Sequence, residues 1–160
     1  MSWILKFKII GTVMASLASL PLYFLYKKFP NFFTSIFSPI NNSLWEHSKV
    51  IFGSILIGGI TQKLISIVKK IHVNNICFST FISAIVAIPI YIILASILFS
   101  IFGERNVIKI LVTFIAILIA ELISYFMMKQ PEFKLENYTI IFAIITYIIF
   151  MFITYFKNKI

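Results

Sequence analysis

The chain has 160 residues, of which 61% are hydrophobic and 12% charged, with a mean hydropathy of +1.03 and a net charge of +9. A soluble domain carries about twice that share of charge, and its core cannot absorb this much Ile and Phe without leaving large apolar patches. A soluble globular domain is therefore excluded, and an integral membrane protein is expected.

A membrane helix needs about 20 mostly apolar residues, and five stretches qualify. The first, 9–26, is free of charge between Lys8 and Lys27. Lys6 and Lys8 ahead of an apolar run imitate a signal peptide. The run continues to Tyr26, past a plausible cleavage point, so a retained helix is expected. In the connection that follows, Phe29, Phe32, Phe33, Ile36 and Phe37 fall at i, i+3, i+4, i+7 and i+8, which is one helical face. With Pro30 near its start, the segment 29–38 is read as a short helix lying in the membrane interface. An irregular loop dipping its phenylalanines into the headgroups is the alternative.

The second span, about 44–68, is interrupted by Lys49 and Lys63. The third, about 76–102, contains Pro89, which frees the carbonyl of Ile85 and favours a kink. The fourth runs from about 107 to 128 and holds Glu121; the fifth runs from about 138 to 156. The expected fold is all-α. Residues 1–160 form a single transmembrane domain of five helices plus the interfacial segment. With five spans the 14 Lys and Arg divide equally, seven to each face, which leaves the positive-inside rule no excess to act on. The lysines come in ones and twos between apolar runs, as at helix ends that meet lipid headgroups, so the expected partner is the bilayer and not nucleic acid.

In SPINNSLWEHSKV, residues 38–50, a tryptophan, a glutamate, a histidine and a lysine fall within five positions. Ser43 followed three residues later by Glu46 is a capping-box pattern, and Pro39, Asn41 and Asn42 supply the turn before it. On a helical wheel Trp45, Lys49 and Lys63 share one face. A tryptophan at headgroup level and lysines reaching outward suit a lipid-facing edge, so Trp45 and Lys49 are read as interface anchors. His47 lies opposite, on a face continued by Ser54, Gly58 and Thr61, with Gln62 at its edge. Small and polar residues mark helix packing in membranes, so His47 points into the bundle, where it can act as a base, a ligand or a structural hydrogen-bonding group.

Glu121 is the second signal, because an acid deep in a span costs at least about 2.5–3.5 kcal/mol to insert. It must pair, bind a cation or carry a proton. Counted from the face where its helix begins, Glu121 lies roughly 20 Å deep and His47 about 5 Å, so direct contact between them is not expected. The expected neighbours of Glu121 are Gly58, Thr61, Gln62, Ser79, Ser83, Ser16 and Ser19. Those of His47 are Tyr23, Tyr26, Ser96 and Thr113. Glu132 and Glu136 are expected to balance Lys129 and Lys134. The single cysteine, Cys77, permits no intrachain disulfide and no thiolate metal cluster. No zinc-protease, phosphate-loop or nucleophile-elbow motif is present, so no metal or cofactor is implied.

The run Pro39, Asn41, Ser43, Trp45, Glu46, His47, Lys49 resembles the signature of an uncharacterised family of small Firmicutes membrane proteins, commonly P-V-N-E-S-x-W-E-H-x-K. Asn42 stands here where that family usually has Glu. The resemblance implies a multi-pass protein of a bacterial plasma membrane and supplies no activity. Three classes of function follow from the residues. The first is a small carrier or ligand-binding membrane component, with a polar site around Glu121 and a mouth near His47; Asn41, Glu46, Gln62, Thr61 and Ser83 are further candidates for it. The second is a membrane-embedded enzyme acting on lipid or peptide, with His47 as base, Glu46 turned inward and a cleft wide enough for a lipid. The third is a scaffold or assembly subunit. An odd number of spans suits a homo-oligomer or a partner subunit better than an autonomous inverted-repeat transporter.

Overall fold

The structure is a computed structural model describing residues 3–157. It is all-helical among those residues: α1 Trp3–Lys28, α2 Phe32–Phe37, α3 Leu44–Val68, α4 Ile76–Phe102, α5 Asn106–Met128 and α6 Glu136–Lys157. Five of the six are long and apolar enough to cross a membrane, which makes the chain compatible with a multi-pass membrane protein. Four of these five agree with the expected spans to within two residues at either end. The exception is α1, which begins at Trp3 and not near residue 9, and so carries Lys8 into the helix.

Neighbouring long helices run antiparallel. α1 packs on α3, α3 on α4, α4 on α5, and α5 returns to α1, closing a ring of four. The seam between α1 and α3 is made by glycine. A Cβ at Gly58 would lie 2.5 Å from the backbone oxygen of Gly11. Only a residue without a side chain lets two helix backbones approach this closely. Where α3 and α4 meet, and α4 and α5, the core is Ile51, Ile55, Ala84, Ala87, Ala116 and Ala120.

α6 lies outside the ring. It touches α4 and α2 and reaches α3 through aromatic rings: Phe52 meets Tyr147 at 5.2 Å and Phe150 at 5.5 Å, and Trp45 meets Phe150 at 5.0 Å. α3 is therefore covered on both flanks, by α1 on one side and by α4 and α6 on the other.

The turns are fixed by specific polar groups. Asn31 caps α2, and Thr34 completes a reciprocal capping box, so Pro30 precedes the cap instead of opening the helix. Buried Ser38 accepts the N–H of Tyr26 at 3.0 Å and ties the end of α2 to α1. Gly103, at φ +76°, ends α4, a backbone region open to glycine. Asn75 is buried. Its amide donates to the Pro131 carbonyl at 2.9 Å and its oxygen accepts from the Phe133 N–H at 2.8 Å, which clips the α3–α4 and α5–α6 loops together. α4 continues through Pro89, and α1 through Pro21.

Candidate functional site

Three polar centres interrupt the apolar bundle. The first is built from the opening motif. Ser43 caps α3, its hydroxyl accepting the Glu46 N–H at 3.3 Å. The other half of the expected capping box is absent: the Ser43 N–H goes to Asn41 Oδ1 at 3.0 Å. Glu46 has turned inward and is 1% exposed. Its Oε2 pairs with Lys49 Nζ at 2.6 Å and accepts the Ile40 N–H at 3.1 Å, while Oε1 accepts from the Thr154 hydroxyl at 2.6 Å.

Lys49 was expected to reach toward lipid. It is 1% exposed instead. Besides Glu46 it donates to the Ser35 carbonyl at 2.8 Å and to Thr154 Oγ1 at 3.2 Å, which engages all three N–H groups of an ammonium. Trp45 is half-buried against Phe150, and its indole N–H finds no partner among the described residues. The wheel placed these side chains opposite His47 correctly, but α2 and α6 cover that face.

Above the pair lies a groove of about 470 Å³ between α2 and α6. Phe32, Ile40, Ile148, Met151 and Phe152 make its walls, and Thr154 and Ser35, the residues that hold Glu46 and Lys49, also line it. The groove is thus apolar on its walls, with Thr154 and Ser35 standing between it and the buried ion pair.

The second centre surrounds His47, which is 3% exposed and does point into the bundle. Its ring stacks on Tyr23 of α1 at 5.3 Å and 8° between planes. Ser19, Tyr23, Lys109 and Thr113 share a narrow slot with it, between α1, α3 and α5. Two of the expected neighbours, Tyr23 and Thr113, are there; Ser96 faces outward. His47 Nε2 has no hydrogen-bond partner among the described residues.

The third centre is Glu121. It is buried, but its partner is none of the serines or amides expected. Lys8 Nζ pairs with Glu121 Oε2 at 2.7 Å and donates to Ser124 Oγ at 2.5 Å. Glu121 Oε1 has no partner among the described residues. The pair forms the floor of a groove of about 540 Å³ between α1 and α5, with Leu5, Ile9, Val13, Leu118 and Leu122 on its walls. This groove shares no lining residue with the His47 slot, so among the described residues the two are separate. The expected mouth and the expected intramembrane site are two separate depressions.

The remaining candidates are structural in their contacts. Gln62 is buried against Gly11, with both amide atoms unpartnered among the described residues. The Thr61 hydroxyl donates to Ile57 and the Ser83 hydroxyl to Thr80, each within its own helix. Asn41 orders the turn before α3. Glu136 pairs with Lys63 at 2.7 Å, neither with Lys129 nor with Lys134.

Sequence reasoning passed over Lys8, Ser35, Thr154 and Lys109. A usable signal existed for Lys8. Glu121 is seven residues from the end of α5 and Lys8 five from the start of α1, at the same end of the bundle. At about 1.5 Å per residue those depths are roughly 10 Å and 8 Å, so a buried acid and a cation stand at one level.

Comparison with protein-family models, with curated proteins and with solved structures gives no match to this chain.

Proposed function

We propose that the protein is a ligand-binding component of a membrane and that its ligand is an amphiphile received in the groove between α2 and α6. One observation carries this reading. A recess of about 470 Å³ with apolar walls is lined by Thr154 and Ser35, the two residues that also hold the buried Glu46–Lys49 pair behind it. Small-molecule sites have this volume and this make-up, a mainly apolar lining with a few placed polar groups. The recess sits at the end of the bundle where α3 begins, beside the interfacial helix α2. An alkyl chain there lies along Ile148 and Phe152 while its polar end reaches Thr154 and Ser35. The resemblance of the motif supports a bacterial plasma membrane as the setting.

Carriage of a proton or cation through Glu121 draws less support, because Lys8 already neutralises that carboxylate and its groove stops short of His47. A second reading is favoured by one contact. Thr154 donates its hydroxyl proton to Glu46 at 2.6 Å, the relation of a nucleophile to its base. A membrane enzyme acting on lipid esters would then use Glu46 as base. His47, on the opposite flank of α3, takes no part.

Native mass spectrometry of the full chain in maltoside micelles distinguishes these readings. Wild type is expected to retain an amphiphile that Met151→Trp, which fills the groove, releases. Equal retention in both removes the binding reading. Release of fatty acid from added phospholipid by wild type, lost in Thr154→Val, would replace it with the enzyme.

A further inference from the structure

The slot beside His47 is left over once the groove has been assigned, and its chemistry differs. It lies between α1, α3 and α5 at the end of the bundle where α3 and α5 both begin. His47 and Lys109 are each the fourth residue of their helix. Two parallel helix N-termini therefore converge there, and each carries partial positive charge. The N-terminus of α5 is also uncapped: Arg105 makes no side-chain cap among the described residues, and the first turn holds no acid. Its first N–H groups lack intrahelical acceptors.

The slot carries a full charge as well. Lys109 is 4% exposed, and its ion-pair partner Glu104 stands at 3.3 Å with a side chain 62% exposed. Such a partner is held loosely, because an exposed carboxylate remains hydrated. Lys27 lies over the Tyr23 ring at 5.2 Å, adding a second cation at the rim. Against these stands His47 Nε2, buried and unpartnered among the described residues. In the Nε2–H tautomer it is a donor without an acceptor. Lys109, and His47 in that tautomer, suit an anion with several acceptor oxygens, while Leu20, Phe24, Val50 and Ile110 also line the slot.

We propose that the slot is the polar end of a phosphate-binding site, with Lys109 as the charge partner and His47 Nε2–H as a donor to one phosphate oxygen. The size of the slot fixes the pose. It measures about 10 Å³, about one water-sized sphere, which admits one oxygen and not a whole phosphate. The other oxygens remain at the rim, where Glu104 now meets Lys109, so the anion displaces Glu104. Leu20 and Phe24 of α1 border the slot and are exposed on the apolar flank of the bundle. A phosphate arriving from that flank is the headgroup of a lipid; one arriving from the aqueous end is free phosphate.

The test is nitrogen NMR of histidine-labelled full chain in maltoside micelles, with His72→Asn used to assign the two imidazoles. The probes are inorganic phosphate and a short-chain phosphatidic acid. A saturable shift of the His47 Nε2 signal is expected, at least tenfold weaker in Lys109→Gln. A shift with phosphatidic acid alone identifies a lipid headgroup, and a shift with both probes shows that the phosphate group suffices. Absence of a shift with either probe overturns the proposal. Because Lys109→Gln alters a buried position, the exposed Glu104→Gln variant gives an independent check. Loss of the competing carboxylate is expected to tighten binding about threefold, and unchanged affinity would mean that Lys109 does not hold the anion.

Discussion

At the scale of single residues, the motif shows what a wheel can and cannot tell. The angle between His47 and the pair Trp45 and Lys49 follows from helical geometry, and the structure keeps it. Whether the second face meets lipid depends on what packs there, and no residue within 38–50 encodes the position of α6. Lys49 is therefore half of a buried pair with Glu46 and not a snorkelling anchor. Removing one member of such a pair leaves the other charged and unpartnered, at a cost of about 3–5 kcal/mol, while replacing both can be close to neutral. Lys49→Met is expected to lower the thermal midpoint of the purified protein sharply, and Glu46→Gln with Lys49→Met to recover most of the loss. A double variant as unstable as the sum of its singles would show that the two charges are not coupled.

At the scale of elements, apolar length marked the spans well because the bilayer thickness demands it. The start of α1 was lost for a physical reason: a lysine was taken to end a span, yet a lysine with a buried acid at its own depth can sit inside one. Contacts between helices were legible where matching depth announced them, as for Tyr23 and Thr113 beside His47, or where small residues did. Gly58 is of the second kind, and its backbone meets that of Gly11 at the α1–α3 seam. A methyl group at Gly58 must push α1 away, because the atom it meets at 2.5 Å is backbone and cannot rotate aside. Overpacking of this kind costs about 1–3 kcal/mol. Gly58→Ala is therefore expected to lower the thermal midpoint, whereas Ile60→Ala on the exposed flank of the same helix changes it little. Equal effects would mean that α1 and α3 do not pack through glycine.

At the scale of the whole molecule, the decisive fact is that one long helix stands outside a closed ring of four. Sequence order does not announce this, because α5 and α6 are as apolar as their neighbours and hydropathy carries no information about adjacency. Most large side chains of α6 are exposed; Phe150 is its deeply buried one. Two of its residues make polar contacts that pin it near its ends, Glu136 with Lys63 and the Cys77 N–H, and Thr154 with Glu46 and Lys49. Elements with few buried contacts open locally at a lower free energy than the fold as a whole. α6 also forms one wall of the groove between itself and α2, so its release would widen that groove to a ligand entering from the lipid side. Cutting both pins, by Glu136→Ala with Thr154→Val, is expected to speed amide hydrogen exchange along α6 at least tenfold while α1, α3, α4 and α5 keep their protection. Uniform loss of protection across all five helices would show that α6 unfolds only with the ring, and the groove would then be a fixed recess without a movable wall.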